Sequence, residues 1–168
     1  MPQRVVRDDA FLRRAMRDHG ASVLRLALAQ TGSRADAEDV YQDVFVALAC
    51  SDTEFADADH LRAWLLRATV NRCRDLARSW WRRHAQSFDA LGIEVAQGEK
   101  DEGARDPAEL WSAVQRLPER YRAVIHLRYV EQLPVDAIAA ACGISESAVR
   151  TRMSRATNKL RVYLGGMS

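Results

Sequence analysis

The sequence has little of what several classes of protein require. Its 168 residues include three cysteines, four prolines and 7% aromatic residues, and the formal net charge is only +2. Cys50, Cys73 and Cys142 are odd in number and form no C-x-x-C motif, which excludes a disulfide framework and predicts a reducing, cytoplasmic setting. The longest apolar stretches, such as 44–50, are far shorter than the roughly 20 residues of a membrane-spanning helix. Residues 1–17 are dense in arginine and aspartate, so we expect no signal peptide and no membrane insertion.

The near-neutral total conceals a strong segregation of charge along the chain. The net charge is +4 over 1–35, −8 over 36–59, +6 over 60–83, −5 over 84–110, +1 over 111–144 and +4 over 145–168. Basic blocks separated by acidic stretches predict two surfaces that meet a polyanion. Solvated helix faces are the alternative interpretation of the same pattern.

The apolar spacing predicts an all-α fold, because apolar residues recur every three or four positions rather than every two. Residues 84–106 hold three glycines, many carboxylates and few large apolar side chains, a composition typical of a flexible acidic linker. We therefore predict two small helical domains, 1–83 and 107–168. The first predicted helix spans 9–30. The second begins at a cap formed by Asp36 and buries an apolar stripe between 37 and 48. The remaining predicted helices span 60–83, 107–116, 119–130, 135–142 and 146–164.

The last two predicted helices have the pattern of a helix-turn-helix. Ala139 lets the helices approach, Gly143 takes the turn, and Val149 anchors a second helix that Ser145 can cap. One face of that second helix is predicted core: Val149, Met153, Ala156, Leu160 and Leu164. The other face carries groups that bond phosphates and base edges in a major groove: Ser147, Arg150, Thr151, Ser154, Arg155, Asn158 and Arg161. A helical hairpin with a solvated basic face is the alternative.

The helix predicted at 60–83 carries a second basic stripe. On a wheel of 3.6 residues per turn, five polar residues fall within one narrow sector: Arg67, Asn71, Arg74, Arg78 and Arg82. Trp64 and Trp81 border the stripe, and guanidinium groups beside indoles suit phosphates with unstacked bases. The far side is predicted core, which argues against a membrane-surface helix: Leu61, Leu65, Cys73, Leu76 and Trp80. For each tryptophan alone, core packing is the alternative.

The helix that follows Asp36 has an acidic outward face instead. Glu38, Asp39, Gln42 and Asp43 would repel DNA, whereas they suit a basic protein partner through charge complementarity. A merely solvated face is the alternative for these residues.

Three segments together resemble a known family. Residues 37–45 (AEDVYQDVF) resemble the segment of bacterial sigma factors that binds RNA polymerase. Residues 61–75 (LRAWLLRATVNRCRD) resemble the segment that melts and reads the −10 promoter element, and 117–161 resembles the domain that reads the −35 element. With two domains and only a linker between them, the chain is similar to the extracytoplasmic-function (group 4) branch of the sigma-70 family.

The resemblance implies roles for particular residues. Asp39, Gln42 and Asp43 match the polymerase-contact positions. In the family, the loop that corresponds to 51–59 captures a flipped base, and Phe55 lies in that loop. The implied −10 DNA-binding residues are Phe55, Trp64, Arg67, Asn71, Arg74, Arg78, Trp81 and Arg82. The implied −35 DNA-binding residues are Ser145, Ser147, Arg150, Thr151, Ser154, Arg155 and Arg161. The implied partners are core RNA polymerase, promoter DNA and an inhibitory anti-sigma protein, with no small-molecule substrate.

The sequence contains no recognisable catalytic constellation. It has no nucleophile with a plausible base, no glycine-rich phosphate loop and no metal-ligand spacing, so we predict no enzyme, no cofactor and no metal site. Three functions stay open on the residues alone. They are a sigma factor that helps melt the −10 region, a stand-alone helix-turn-helix regulator that binds operator DNA as a dimer, and a helical adaptor without salt-sensitive DNA affinity.

Overall fold

The computed structural model describes residues 6–84 and 107–165, and within these ranges the chain is helical with no strand. In chain order the helices are α1 (Asp9–Thr31), α2 (Arg34–Cys50), α3 (Ala58–His84), α4 (Pro107–Arg116), α5 (Glu119–Ile125), a π-helical segment (His126–Val130), α6 (Val135–Cys142) and α7 (Glu146–Tyr163). The all-α prediction is confirmed. None of these helices is long and apolar enough to cross a membrane.

The boundary between α1 and α2 follows from capping chemistry. Gly32 adopts a left-handed conformation (φ 66°), and its amide donates to the Leu28 carbonyl at 2.9 Å, which ends α1 where glycine predicts an end. The predicted Asp36 cap is wrong, because α2 begins earlier. Ser33 is the cap residue, and its hydroxyl accepts a hydrogen bond from the Asp36 amide at 3.3 Å.

Helices α1, α2 and α3 form the first module around an aliphatic core. Val23, Val44, Leu48 and Leu65 are fully buried there, so the apolar stripe of α2 faces inward as its spacing predicts. The predicted core side of α3 ends earlier than expected. Trp80 is 39% exposed, so the wheel gives the side of α3 on which it lies but not the extent of its burial.

Helices α4 to α7 form the second module, and its helix-turn-helix matches the prediction. Gly143 takes the left-handed conformation (φ 67°) after α6, and the Ser145 hydroxyl caps α7 by accepting from the Ala148 amide at 3.1 Å. The helix predicted over 119–130 is irregular, because its last turn is π-helical. There the Glu131 amide donates to the His126 carbonyl at 3.1 Å, which closes the wider i to i+5 turn.

The two modules pack against each other through one continuous core. Leu26 of α1 and Leu66 and Val70 of α3 join Val124 and Leu127 of the second module in a single cluster, each at most 1% exposed. Helix α6 lies against α3, and α5 lies against α1. The predicted linker, apart from His84 at the end of α3, lies outside the described residues.

Candidate nucleic-acid and polymerase interfaces

Helix α7 presents an open polar face. Every predicted −35 residue on it is exposed: Ser147, Arg150, Thr151, Ser154, Arg155 and Arg161. Ser145 is also exposed, with its hydroxyl engaged in the cap. On the opposite face Val149 and Ala156 are buried as predicted, whereas Met153, Leu160 and Leu164 are only partly buried.

One residue of the α7 face also contacts its own module. Hydrogen bonds from Arg120 and Arg155 lower the pKa of Tyr121 on α5. The Arg120 guanidinium lies 4.7 Å from the centre of the Tyr121 ring. Arg155 is therefore positioned by α5 while it stays exposed to solvent.

The stripe on α3 is open along most of its length. Arg67, Asn71, Arg78 and Arg82 are exposed, and Trp81 is 45% exposed. An open concavity is lined by Arg78, Trp81 and Arg82. Cations beside an indole are the groups that suit a nucleic-acid backbone with an unstacked base.

Arg74 is the exception in that stripe. It is half-buried, and its Nη2 donates to the Cys142 carbonyl at the end of α6 at 2.8 Å. The helical wheel predicts its angular position correctly. The sequence of α3 contains no signal for this partner, which lies 68 residues further along the chain.

Phe55 and Trp64 lie together in an aromatic cluster at the start of α3. Both are partly buried, with ring centres 5.9 Å apart in an edge-on arrangement. Phe11 stacks on Phe55 with its ring centre 6.4 Å away, and the Arg7 guanidinium lies 5.0 Å from the centres of both phenylalanine rings. Arg7 also donates to the Leu48 carbonyl at 3.0 Å. Arg7 and Phe11 are not predicted from the sequence, because no local pattern links them to the 51–59 loop.

The acidic face of α2 is exposed as predicted. Asp39, Gln42 and Asp43 all face solvent. Arg72 of α3 donates from Nη2 to Asp43 Oδ2, and both side chains of this pair are nearly half exposed. Arg72 therefore neutralises part of the charge at one end of this face, a role that the sequence analysis did not assign to it.

A buried carboxylate is the main charged feature that the sequence analysis missed. The Glu131 side chain is 1% exposed, and it accepts from Arg62 Nη2 at 2.8 Å, from Arg25 Nε at 3.3 Å and from His126 Nε2 at 3.2 Å. Burial raises the pKa of Glu131, but the hydrogen bonds from His126, Arg25 and Ser22 outweigh it and bring the pKa to about 2. A charge stays buried only when it is paired in this way.

The cysteines have structural surroundings. Burial raises the pKa of the Cys73 thiol to about 12 and also raises the pKa of Cys142. Neither thiol is therefore an activated nucleophile. Among the described residues no group of three or more His, Cys, Asp or Glu side chains could hold a metal ion.

The capped helix-turn-helix and its exposed basic helix define a DNA-binding class of protein. Comparisons with known proteins narrow that class. The family model for Sigma-70 region 2 matches residues 15–83, and the model for Sigma-70, region 4 matches residues 108–160.

Relatives with the same order of segments are sigma factors. The extracytoplasmic-function RNA polymerase sigma factor SigL of Mycobacterium tuberculosis is 34% identical over 160 residues, which cover 93% of this chain and 90% of SigL. SigE of Mycolicibacterium smegmatis, a sigma factor of the same branch, is 30% identical over 154 residues. That match covers 89% of this chain but only 60% of SigE.

A solved structure has the same architecture. CnrH, in complex with the cytosolic domain of CnrY, is 29% identical, with a TM-score of 0.66 over 96% of this chain and 92% of that chain. The chain belongs to the sigma-70 family of RNA polymerase sigma factors, in the extracytoplasmic-function branch. These comparisons do not favour the stand-alone regulator.

Proposed function

We propose that each exposed face described above serves one step of transcription initiation. The acidic face of α2 docks core RNA polymerase through Asp39, Gln42 and Asp43. The α3 stripe, with the neighbouring aromatic cluster, holds −10 DNA while the strands separate, and α7 reads −35 DNA. The protein acts in the cytoplasm and performs no catalysis of its own.

The observation that carries this proposal is the segregation of exposed charge among the helices. Carboxylates face solvent on α2, whereas arginines face solvent on α3 and α7. An acidic face repels DNA and favours a basic protein surface, and arginines pair with phosphates. One chain can therefore meet a protein and a nucleic acid at the same time through different helices.

Strand separation would draw on binding energy rather than on a chemical step. Extruding a base costs a few kcal/mol, and stacking on aromatic side chains returns about 1–3 kcal/mol per base. Trp81, which is 45% exposed beside Arg78 and Arg82, offers one such surface.

An inhibitory protein partner is a further part of the proposal. CnrH was solved with the cytosolic domain of CnrY, and the sequence resemblance implies an anti-sigma protein for this chain. A pull-down with a CnrY-like domain as bait tests this part separately.

The docking assignment is tested by reversing two charges on α2. In Asp39→Arg/Asp43→Arg, the altered face would repel a basic polymerase surface, so binding to core polymerase is expected to fall at least tenfold. The matched control is Asp9→Arg/Asp18→Arg, which makes the same charge change at exposed positions of α1 and is expected to bind normally. Undiminished binding by the α2 variant would refute the assignment.

A further inference from the structure

The 51–59 loop between α2 and α3 is fastened to the start of the chain by one residue. Arg7 precedes α1, yet its Nε donates to the Leu48 carbonyl at 3.0 Å and its Nη2 donates to the Thr53 carbonyl. The Arg7 amide donates in addition to the Ala49 carbonyl at 3.0 Å. Arg7 therefore bonds both the last turn of α2 and the backbone of the loop that follows it.

The same guanidinium also holds the aromatic side chain of the loop. It lies 5.0 Å from the ring centres of both Phe11 and Phe55, and these two rings are stacked with only 9° between their planes. A cation at this distance is attracted by the negative face of an aromatic ring. Arg7 therefore constrains the ring of Phe55 as well as the loop backbone.

The other end of the loop is fixed by contacts at the start of α3. The Ala56 amide donates to His60 Nδ1 at 3.1 Å, and the His60 amide donates to Asp57 Oδ1 at 2.8 Å. The imidazole ring also meets Phe55 edge-on, with ring centres 5.3 Å apart. The loop is thus held at both ends, and Phe55 is kept against Trp64 at the start of the basic stripe.

Arg7 is engaged within the protein, unlike the arginines of the α3 stripe. Its side chain is partly buried, and both its Nε and its Nη2 donate to carbonyl oxygens. Arg67 and Arg82 are exposed instead, where guanidinium groups can pair with phosphates. The surroundings of Arg7 therefore indicate a residue that acts through the loop and not one that contacts DNA.

We propose that Arg7 is a positioning residue for the capture of an unstacked DNA base at the 51–59 loop. By joining two carbonyls and two rings, it holds the loop in one conformation before DNA arrives, so ordering the loop takes nothing from the binding free energy. A loop that adopts the competent conformation only part of the time loses apparent affinity by that fraction. The inference rests on the proposed function, because that function assigns the loop and its aromatic cluster to −10 DNA.

The order of the loop is measured in the free full chain, without DNA or polymerase. Arg7→Met keeps an unbranched side chain and removes every guanidinium donor. The amides of Thr53 and Ala56 donate to Ser51 Oγ and His60 Nδ1, and their hydrogen exchange is followed by NMR. Exchange is expected to accelerate at least about tenfold, because a hydrogen bond from a charged donor typically contributes more than that factor. Unchanged exchange at both amides would overturn the proposal.

Promoter opening distinguishes positioning from a merely structural role. The probe is a promoter fragment identified by transcription with the wild-type holoenzyme, carrying 2-aminopurine at successive positions of its −10 region, whose fluorescence rises when the base unstacks. Arg7→Met is expected to lower the equilibrium constant for opening at least about fivefold, as when the competent loop is populated one-fifth of the time. Binding to core polymerase and to duplex DNA with only the −35 element should match the wild type. Equal losses in all three measurements would overturn the positioning role.

Two further variants separate the geometry of Arg7 from its charge. Arg14→Met makes the same change in net charge at an exposed position of α1 and is expected to match the wild type in exchange and in opening. Arg7→Lys keeps the cation, but a single ammonium group lacks the planar fork that reaches the Leu48 and Thr53 carbonyls together. It is expected to lie between the wild type and Arg7→Met in both measurements. Full rescue by lysine would show that charge alone suffices and would overturn the positioning role.

A milder change covers the case in which Arg7→Met fails to fold. Phe11→Leu keeps an apolar side chain and removes one of the two rings beside the guanidinium, so it is expected to accelerate exchange of the loop amides by about threefold. No acceleration in this variant would equally overturn the proposal. Failure of the sigma function would show differently, as absent transcription with core polymerase while the exchange results still hold.

Discussion

The basic faces of α3 and α7 resemble each other in charge and differ in their surroundings. Both carry arginines at helical spacing on long helices. On α7 the face is open from Ser147 to Arg161, whereas on α3 Arg74 is half-buried against the Cys142 carbonyl. A helix's own sequence decides which residues share a face, and packing between modules decides whether that face is free.

The difference between the two faces depends on the apolar core that the modules share. A substitution in that core is expected to have the largest effect on stability. Leu127 is fully buried in the cluster that spans both modules. Leu127→Ala is expected to lower the free energy of unfolding by about 2–5 kcal/mol, because it leaves a cavity. Urea denaturation measures the loss. Leu110→Ala, at a position that is 49% exposed, is the control and should cost no more than about 0.5 kcal/mol; equal losses would contradict the shared core.

The second prediction concerns the pH dependence of stability, which tests the buried carboxylate of Glu131 at the contact between the modules. The pKa of Glu131 is about 2 in the folded chain and 4.5 in the reference state. Its stabilising contribution is therefore complete above pH 4.5 and is lost as the pH falls towards 2. The contribution is on the order of 1–3 kcal/mol, measured as the difference in acid denaturation between the wild type and Glu131→Gln. His126, Arg25 and Arg62 are the groups that face the carboxylate. A variant with unchanged acid sensitivity would contradict the assignment.

Helix α7 begins at a side-chain cap, as α3 does at Asp57, whose Oδ1 accepts from the His60 amide at 2.8 Å. Ser145→Ala removes the acceptor for the Ala148 amide and is expected to cost about 1 kcal/mol of stability. Ser147→Ala, at an exposed position in the same first turn, should be nearly neutral in the same urea titration. The expectation fails if both variants lose stability equally.

The smallest expected effect is on DNA affinity, and it compares an arginine of the α7 face with an arginine of the α3 stripe. In the free chain Arg150→Ala removes an open cation, so the dependence of log K on log salt for duplex DNA should fall by about 0.9 per lost phosphate contact. Arg74→Ala should change single-strand binding little while the modules stay packed, because Arg74 already donates to Cys142. An Arg74→Ala loss as large as that of Arg78→Ala would show that the stripe is open.

The sequence predicts those parts of the fold that depend on neighbours along the chain. Gly32, Gly143 and Ser145 act within a turn or two of their positions, and the structure confirms each of them. The Asp36 cap was wrong because Ser33 competes for the same helix start. The assignment of Trp80 to the core was wrong, because the wheel gives the direction of a side chain but not how much of it is covered.

The parts that the sequence could not predict join distant residues. Glu131 meets Arg25 across 106 positions and Arg62 across 69, and no periodicity reports such a pair. The π-helical turn before Glu131 likewise has no signal in the apolar spacing, although it is the element that leads into the buried carboxylate. The helical wheel places Arg74 on the α3 stripe, but it cannot show that the partner of Arg74 is the Cys142 carbonyl, because that residue is distant along the chain.

Reconstituted transcription tests the assignment of function most directly. The purified chain is added to core RNA polymerase with a genomic library of promoter fragments, and the 5′ ends of the transcripts are mapped. Discrete start sites that need both components are expected, and Asp39→Arg/Asp43→Arg should abolish them. If no fragment is transcribed and the chain alone binds duplex operator sites tightly, the protein is a stand-alone regulator and not a sigma factor.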